Sequence, residues 1–284
     1  MQFFWHIVAM ICMSIPNILG FNLIFGKGKI FHFGPIGVST VATYGVFVPL
    51  MHGFSYPSAI AIGFVLTMII SLLFAWLALR LEPDAFGVMA IAIHLSLLAV
   101  VINWISLTRG TRGLPDIPRF FFLQTTQSFA LFTFIIALLW ILFLFVLHRG
   151  SFGRSLDALA EQLWYAGSLG IDRRWVTVIA FLIGGLGALI TNVIYCQYVF
   201  LVHPSDLNFP VFIFFVMVVV AGKPGSVPGV LCSLILLTLL REGMRFLPIP
   251  SEFIGSLRLL LFGLILFVAV WVRRDTLFPK ARSV

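Results

Sequence analysis

The sequence predicts an all-α polytopic membrane protein of about nine transmembrane helices, some short or broken, with one charged cytoplasmic loop. Three observations carry this prediction. Of the 284 residues, 61% are hydrophobic and 10% are charged, against about half and about a quarter in soluble domains. Charge this sparse cannot cover a soluble surface, and the mean hydropathy is +1.12. The apolar residues fall in runs of membrane length, with charged residues and Gly/Pro clusters between them. Disorder is excluded, because it requires low hydrophobicity and high net charge.

A bilayer core needs about 20 apolar residues per helix. Backbone groups in lipid must be satisfied internally, so the spans are helices; a barrel would show short alternating segments. The runs cover residues 3–25, 33–51, 56–79, 85–107, 126–147, 176–202, 209–221, 227–240 and 254–272. The first has no Lys or Arg before it and exceeds a signal-peptide core, so it reads as a retained span. Runs 209–221 and 227–240 are too short to cross comfortably. Gly222-Lys223-Pro224-Gly225-Ser226-Val227-Pro228-Gly229 breaks the chain between them. Short Gly/Pro-interrupted spans line cavities in transporters. Gly26-Lys27-Gly28 followed by Gly34-Pro35 has a similar form, which makes a faint parallel repeat.

The net charge of +8 reads as membrane orientation. With nine spans and the N-terminus outside, twelve cations fall inside: Lys27, Lys29, Arg80, Arg149, Arg154, Arg173, Arg174, Lys223, Arg273, Arg274, Lys280 and Arg282. Six fall outside: Arg109, Arg112, Arg119, Arg241, Arg245 and Arg258. The C-terminus is then cytoplasmic. No basic stripe with interleaved aromatics exists, so no nucleic-acid partner is expected. Cys12, Cys196 and Cys232 lie in apolar runs without CxxC spacing, so neither a disulfide framework nor a zinc site is expected.

The longest cytoplasmic loop is 148–174. Within it 156–166 reads as one short helix with apolar Leu156, Leu159, Leu163 and Ala166 at spacings of three and four. Asp157 sits in its first turn, favourable for the helix dipole, and Gly167 and Gly170 end it. A helix lying on lipid would carry Lys and Arg on its polar face. This one carries Asp157, Glu161 and Gln162, which favours docking into a partner's groove over lying on lipid; a plain connector is the alternative. No phosphate-binding GxxxxGK[ST], HExxH or GxSxG motif occurs, so no catalytic, cofactor or metal residues are expected. Ionisable groups within the spans are read as few, namely His6, His94 and Arg258, which argues against a proton- or sodium-coupled carrier. His94 reads as a packed histidine with a backbone partner. Asn17, Asn22, Asn103 and Asn192 read as helix-joining hydrogen bonders or contacts to a polar solute.

Several segments together resemble the permease subunits of ABC importers for branched-chain amino acids. Ser151-Phe152-Gly153-Arg154, Ala158, Glu161, Ala166 and Leu169-Gly170-Ile171 are similar to that family's coupling loop, and Ala180-Phe181 and Gly187-Ala188-Leu189 to the span that follows. Ser106 to Leu114 with Ile117-Pro118 looks like its S-L-T-G-G loop. Gly225-Ser226-Val227-Pro228-Gly229 resembles its G-S-I-P-G break. Asn22-Leu23 with Gly26, Phe33-Gly34 and Ala42-Thr43-Tyr44, and a basic tail at Arg273-Arg274, complete the order. Departures are Ala160 for Arg, Gln162 for Asn, Arg109 for the loop's first Gly, and His32 for Ser or Asn.

The resemblance implies one permease domain over 1–284, with the coupling loop at 148–174 and an external loop at 107–125. It implies a multi-pass protein of the cell (inner) membrane that forms half of a path for branched-chain amino acids or a related small polar solute. The implied partners are ABC ATPase subunits, a second permease subunit (identical or paralogous), an extracytoplasmic solute-binding protein and membrane lipid. ATPase coupling is expected at Asp157, Ala158, Glu161, Gln162, Gly167 and Gly170. The translocation path is expected at Gly26, Gly28, His32, Gly34, Gly225 and Gly229, whose alternative role is close helix packing. The competing classes are an ATP-independent carrier or channel, and a membrane enzyme or structural subunit.

Overall fold

A computed structural model describes residues 2–246 and 251–277. The chain is almost wholly helical. Helix α1 covers Gln2–Phe21 and continues through a π-helical segment, Asn22–Lys27. Then follow α2 (Pro35–Met51), α3 (Tyr56–Arg80), α4 (Pro83–Asn103), the single turn α5 (Ile105–Thr108) and α6 (Thr126–Arg149). Next come α7 (Ser151–Glu161), α8 (Leu163–Ser168) and α9 (Arg173–Val199). The last are α10 (Phe209–Ala221), α11 (Val227–Gly243) and α12 (Ser251–Leu277).

Five helices among the described residues are long and apolar enough to cross a membrane: α1 with its extension, α3, α4, α6 and α9. At 1.5 Å per residue, the 25 residues of α3 reach about 38 Å, beyond the roughly 30 Å hydrocarbon core. The 13-residue α10 reaches about 20 Å, which bears out the sequence reading of a short helix. Boundaries shift elsewhere. The predicted run 85–107 ends at Asn103, because Trp104 leaves helical backbone (φ −86°, ψ 68°) and α5 follows as a separate turn.

Helices α1 and α9 form the centre, and glycines set how closely they cross. A Cβ on Gly20 would lie 3.1 Å from the Gly184 Cα, and one on Gly187 would collide with the Pro16 carbonyl. The outer faces of α3, α4 and α6 expose Ile69, Trp76, Val88, Leu139 and Val146, a surface suited to lipid rather than water.

Helix α6 separates two ends of the bundle. One end carries α7 and α8. The other carries residues 104–125, pinned by a two-residue antiparallel pairing of Leu114 with Val202 and Pro115 with Leu201. Arg119 closes the C-terminus of α9 there. Its Nε donates to the Gln197 carbonyl at 2.9 Å and its Nη2 to the Tyr198 carbonyl at 2.8 Å, meeting carbonyls that a helix end leaves without intrahelical donors. The guanidinium also lies 3.9 Å from the Phe200 ring centre.

Candidate functional site

A cavity of about 350 Å³ lies between α1, α2, α9, α10, α11 and the turn Pro204–Leu207. Pro16 interrupts the α1 hydrogen-bond ladder. The next amide, Asn17 N–H, donates to Thr191 Oγ1 on α9 at 3.1 Å, and Asn17 Nδ2 donates to Ser39 Oγ on α2 at 2.9 Å. Asn17, Ser39 and Thr191 all border the cavity, together with Asn192 and Tyr195. Asn17 therefore joins helices, the first of the two roles that the sequence left open, and also borders the cavity.

Acidic and basic side chains enter from α11 and the 204–207 turn. Glu242 is buried at the end of α11, and its Oε1 lies 3.4 Å from Arg241 Nε. Arg241 is three-quarters buried and sits over the Phe214 ring at 5.5 Å. Asp206 lies in the 204–207 turn, whose backbone is capped by His203 Nδ1 accepting from Ser205 N–H at 3.1 Å. Burial pushes the Asp206 carboxyl above its ordinary value, while the nearby His203 and a hydrogen bond from Tyr195 pull it down. Carbon from Met10, Ile36, Val211, Phe214 and Phe215 completes the wall. Sequence reasoning missed this constellation. Arg241 was counted with an external loop, whereas α11 runs on to Gly243 and carries Arg241 and Glu242 into the protein. The usable signal was an adjacent Arg-Glu pair ending an apolar run.

The two Gly-Lys breaks meet in space. Gly225 N–H donates to Asn22 Oδ1 at 2.9 Å. A Cβ on Gly26 would collide with Asn22 Oδ1 and the Gly225 amide, and one on Gly229 with the Gly222 carbonyl. Gly225 has φ +82°, the left-handed region where glycine alone is unstrained. A Cβ on Gly34 would lie 2.8 Å from the Phe74 ring. His32 is buried, with the Phe74 and Phe181 rings each 4.9 Å away and Phe86 at 6.0 Å; it borders a water-sized space of about 10 Å³. Gly28 borders a cavity of about 260 Å³ beneath α7, with Lys29, Leu156, Ala160 and Arg173. In this conformation, then, all six predicted path positions are packed against neighbours, and a Cβ on Gly28 would lie 2.8 Å from the Ile24 carbonyl although the residue borders that cavity. His94 is packed between α4 and α2, but neither ring nitrogen meets a hydrogen-bond partner among the described residues, which corrects the expected backbone bond.

The predicted helix 156–166 is two helices. Gln162 takes extended backbone (φ −152°, ψ 104°) between α7 and α8, so the apolar stripe splits. Leu156 and Ala166 are buried, while Leu163 is exposed. Helix α7 begins at Ser151, so Asp157 is a mid-helix residue. Its Oδ2 accepts from Lys27 Nζ at 2.7 Å, tying α7 to the break after α1. Ala158 is half-buried; Glu161, Gln162, Gly167 and Gly170 are exposed. Beside them Trp164, Tyr165, Leu169 and Trp175 are also exposed.

A multi-pass helical bundle with a lipid-suited exterior, broken short helices and an internal cavity of mixed charge has the form of a membrane permease. The chain belongs to the family of branched-chain amino acid transport system permease components, whose profile matches residues 13–270. It is 26% identical over 293 aligned residues to the high-affinity branched-chain amino acid transport system permease protein LivM of Escherichia coli (strain K12), covering 93% of this chain and 67% of the relative. The LivM of Salmonella typhimurium (strain LT2) is 25% identical over the same shares. A probable ABC transporter permease protein of Escherichia coli, YphD, is 30% identical over 141 residues, 48% of this chain and 41% of the relative. No solved structure matches the chain.

Proposed function

We propose that the chain is a non-enzymatic pore half of an ABC importer in the cell (inner) membrane, carrying branched-chain amino acids or a related small polar solute. A second permease subunit completes the path, a solute-binding protein delivers the solute outside, and two ATPase subunits act on the cytoplasmic side. The single observation that carries this reading is the α7–α8 segment. Its Trp164, Tyr165 and Leu169 are exposed at the end of the bundle, where a partner protein and not lipid would cover them. Asp157, Ala158, Glu161, Gln162, Gly167 and Gly170 form the docking segment. The N-terminus is outside and the C-terminus cytoplasmic; the side chains of Arg273 and Arg274, and Lys280 and Arg282, on which that orientation partly rests, lie outside the described residues.

Lys27 passes motion of α7 to the break after α1, and Asn22 passes it to the break before α11. The packed glycines at 26, 34, 225 and 229, with His32 and Gly28, border the route in the state where these breaks part. A switch from mostly one state to mostly the other needs about 5.5 kcal/mol of differential binding, within reach of ATP occupancy. The test is copurification with an ATPase, followed by Glu161→Arg in the assembled importer. Loss of uptake and of ATPase stimulation is expected. Uphill transport by the chain alone would replace this reading with an ATP-independent carrier.

A further inference from the structure

The cavity of about 260 Å³ beneath α7 has charge of one sign only. One wall is α7, with Leu156, Leu159 and Ala160; opposite it lie the turn that joins α3 to α4 and the start of α9. Lys29 and Arg173 border it, and no Asp or Glu does. Arg173 Nη2 donates to the Ala78 carbonyl at 3.2 Å, and neither cation has an acidic partner among the described residues. Of the nearby carboxylates, Asp157 accepts from Lys27, and Asp172 caps α9 by accepting from Arg174 N–H. Glu82, Asp84 and Glu161 are exposed and do not border the cavity. At this end α3 stops at Arg80 and α4 starts at Pro83. The 25-residue α3 is longer than the hydrocarbon core is thick, so this turn lies at headgroup depth.

We propose that this cavity seats the headgroup of an anionic phospholipid from the leaflet on the α7 side. The phosphate meets Lys29 and Arg173, since ammonium and guanidinium groups are both phosphate donors. The first acyl carbons cover Ile30, Leu81 and Phe86, and the rest of each chain stays in the bilayer. Basic pockets between membrane helices bind anionic headgroups in this way. A choline headgroup would bring a further positive charge to a site that already holds two. A free phosphate would match the cations and leave the apolar wall uncovered. Because α7 is one wall, a seated lipid ties the docking segment to the ends of α3, α4 and α9. The inference goes beyond the importer reading and needs only that the chain is embedded in a bilayer.

The delipidated full chain is titrated in detergent with phosphatidylglycerol and, separately, with phosphatidylcholine of the same acyl chains. Native mass spectrometry reads the affinity for the first bound lipid. The parent is expected to prefer phosphatidylglycerol. Lys29→Gln and Arg173→Gln are each expected to weaken it about fivefold and to leave phosphatidylcholine unchanged. Ala160→Trp fills the cavity without changing charge and is expected to weaken phosphatidylglycerol as well. Arg154→Gln combined with Arg174→Gln removes charge from the same end outside the cavity and is expected to change neither lipid. An equal loss in that double variant would assign the preference to general surface charge and overturn the site. If Arg173→Gln, which also gives up the Ala78 bond, fails to fold, Lys29→Gln and Ala160→Trp decide; parent-like affinity in both overturns the site. Displacement of phosphatidylglycerol by inorganic phosphate would assign the cations to a free anion, and displacement by added ATPase subunits would assign the cavity to that partner; either overturns the lipid. The readout on the chain alone involves no partner, so failure of the importer reading leaves that result standing.

Discussion

Asp206 is the residue whose chemistry is most open to a direct test. Tyr44, Tyr195, Cys196 and His203 act on it or respond to it, and Arg241 and Glu242 share its cavity. Burial raises its carboxyl pKa, so on acidification it takes a proton at higher pH than an exposed aspartate does. Any uptake that needs this carboxylate ionised is therefore present above the raised pKa and lost as pH falls through it. Asp206→Asn flattens that dependence, and His203→Gln identifies any part that His203 contributes. Backbone geometry gives a second residue-scale prediction. Arg109, which departs from the S-L-T-G-G pattern that its loop resembles, has φ +59°, a conformation that costs a non-glycine residue about 1–2 kcal/mol. Arg109→Gly is expected to hold or raise thermal stability. Gly110→Ala, also at φ +59° and with its Cβ 2.7 Å from the Ile102 carbonyl, is expected to lower it. A melt in which Arg109→Gly destabilises as much as Gly110→Ala would remove strain as the explanation. The family's glycine pattern made Arg109 visible in the sequence. The adjacent Arg241-Glu242 pair was visible as residues, but its proximity to Asp206 was not, because distant segments share a cavity only where α9, α10 and α11 converge.

Among the elements, the two helix breaks and α7 form one connected unit. Lys27 reaches Asp157 at 2.7 Å, and Asn22, one π-helical turn earlier, reaches Gly225. Asp157 is half-exposed, and bridges of that kind contribute under about 1 kcal/mol to stability. Asp157→Asn is therefore expected to leave the melting temperature nearly unchanged while reducing ATPase stimulation by loaded binding protein; a large fall in stability with normal stimulation would make the bridge structural only. The packing of the breaks predicts the opposite balance. Gly229→Ala forces a methyl into the Gly222 carbonyl, and overpacking of this kind costs about 1–3 kcal/mol. Gly167, where a Cβ meets nothing within 4 Å, accepts alanine. The sequence showed both breaks and their similarity, since Gly and Pro punctuate helices wherever they occur. It could not show that the breaks touch, because hydropathy carries no information on which helices are neighbours. It also joined α7 and α8, because an apolar period of three and four does not reveal the extended backbone at Gln162.

At the scale of the whole molecule, the bundle has exposed aromatic residues at one end, the Asp206–Arg241 cavity at the other and a packed zone between them. Exposed aromatic residues lie on α8, the Arg241-Glu242 pair at the end of α11, and the aromatic enclosure of His32 between α3, α4 and α9. A permease whose middle is closed in one state must open it in another, and small packed residues are the parts that can separate without uncovering large apolar side chains. His32→Cys is therefore expected to be protected from a water-soluble thiol reagent in the nucleotide-free importer and modified when ATP is held without hydrolysis. Thr111→Cys and Glu161→Cys, in exposed segments at opposite ends, give the sidedness control: the first reacts from outside in intact cells and the second only after permeabilisation. Reaction of both from the same side would invert or redraw the topology. Protection of His32→Cys in every nucleotide state, with both controls behaving as expected, would leave the membrane orientation intact and assign the glycine breaks to packing alone, so that the route would have to pass through the Asp206–Arg241 cavity without them.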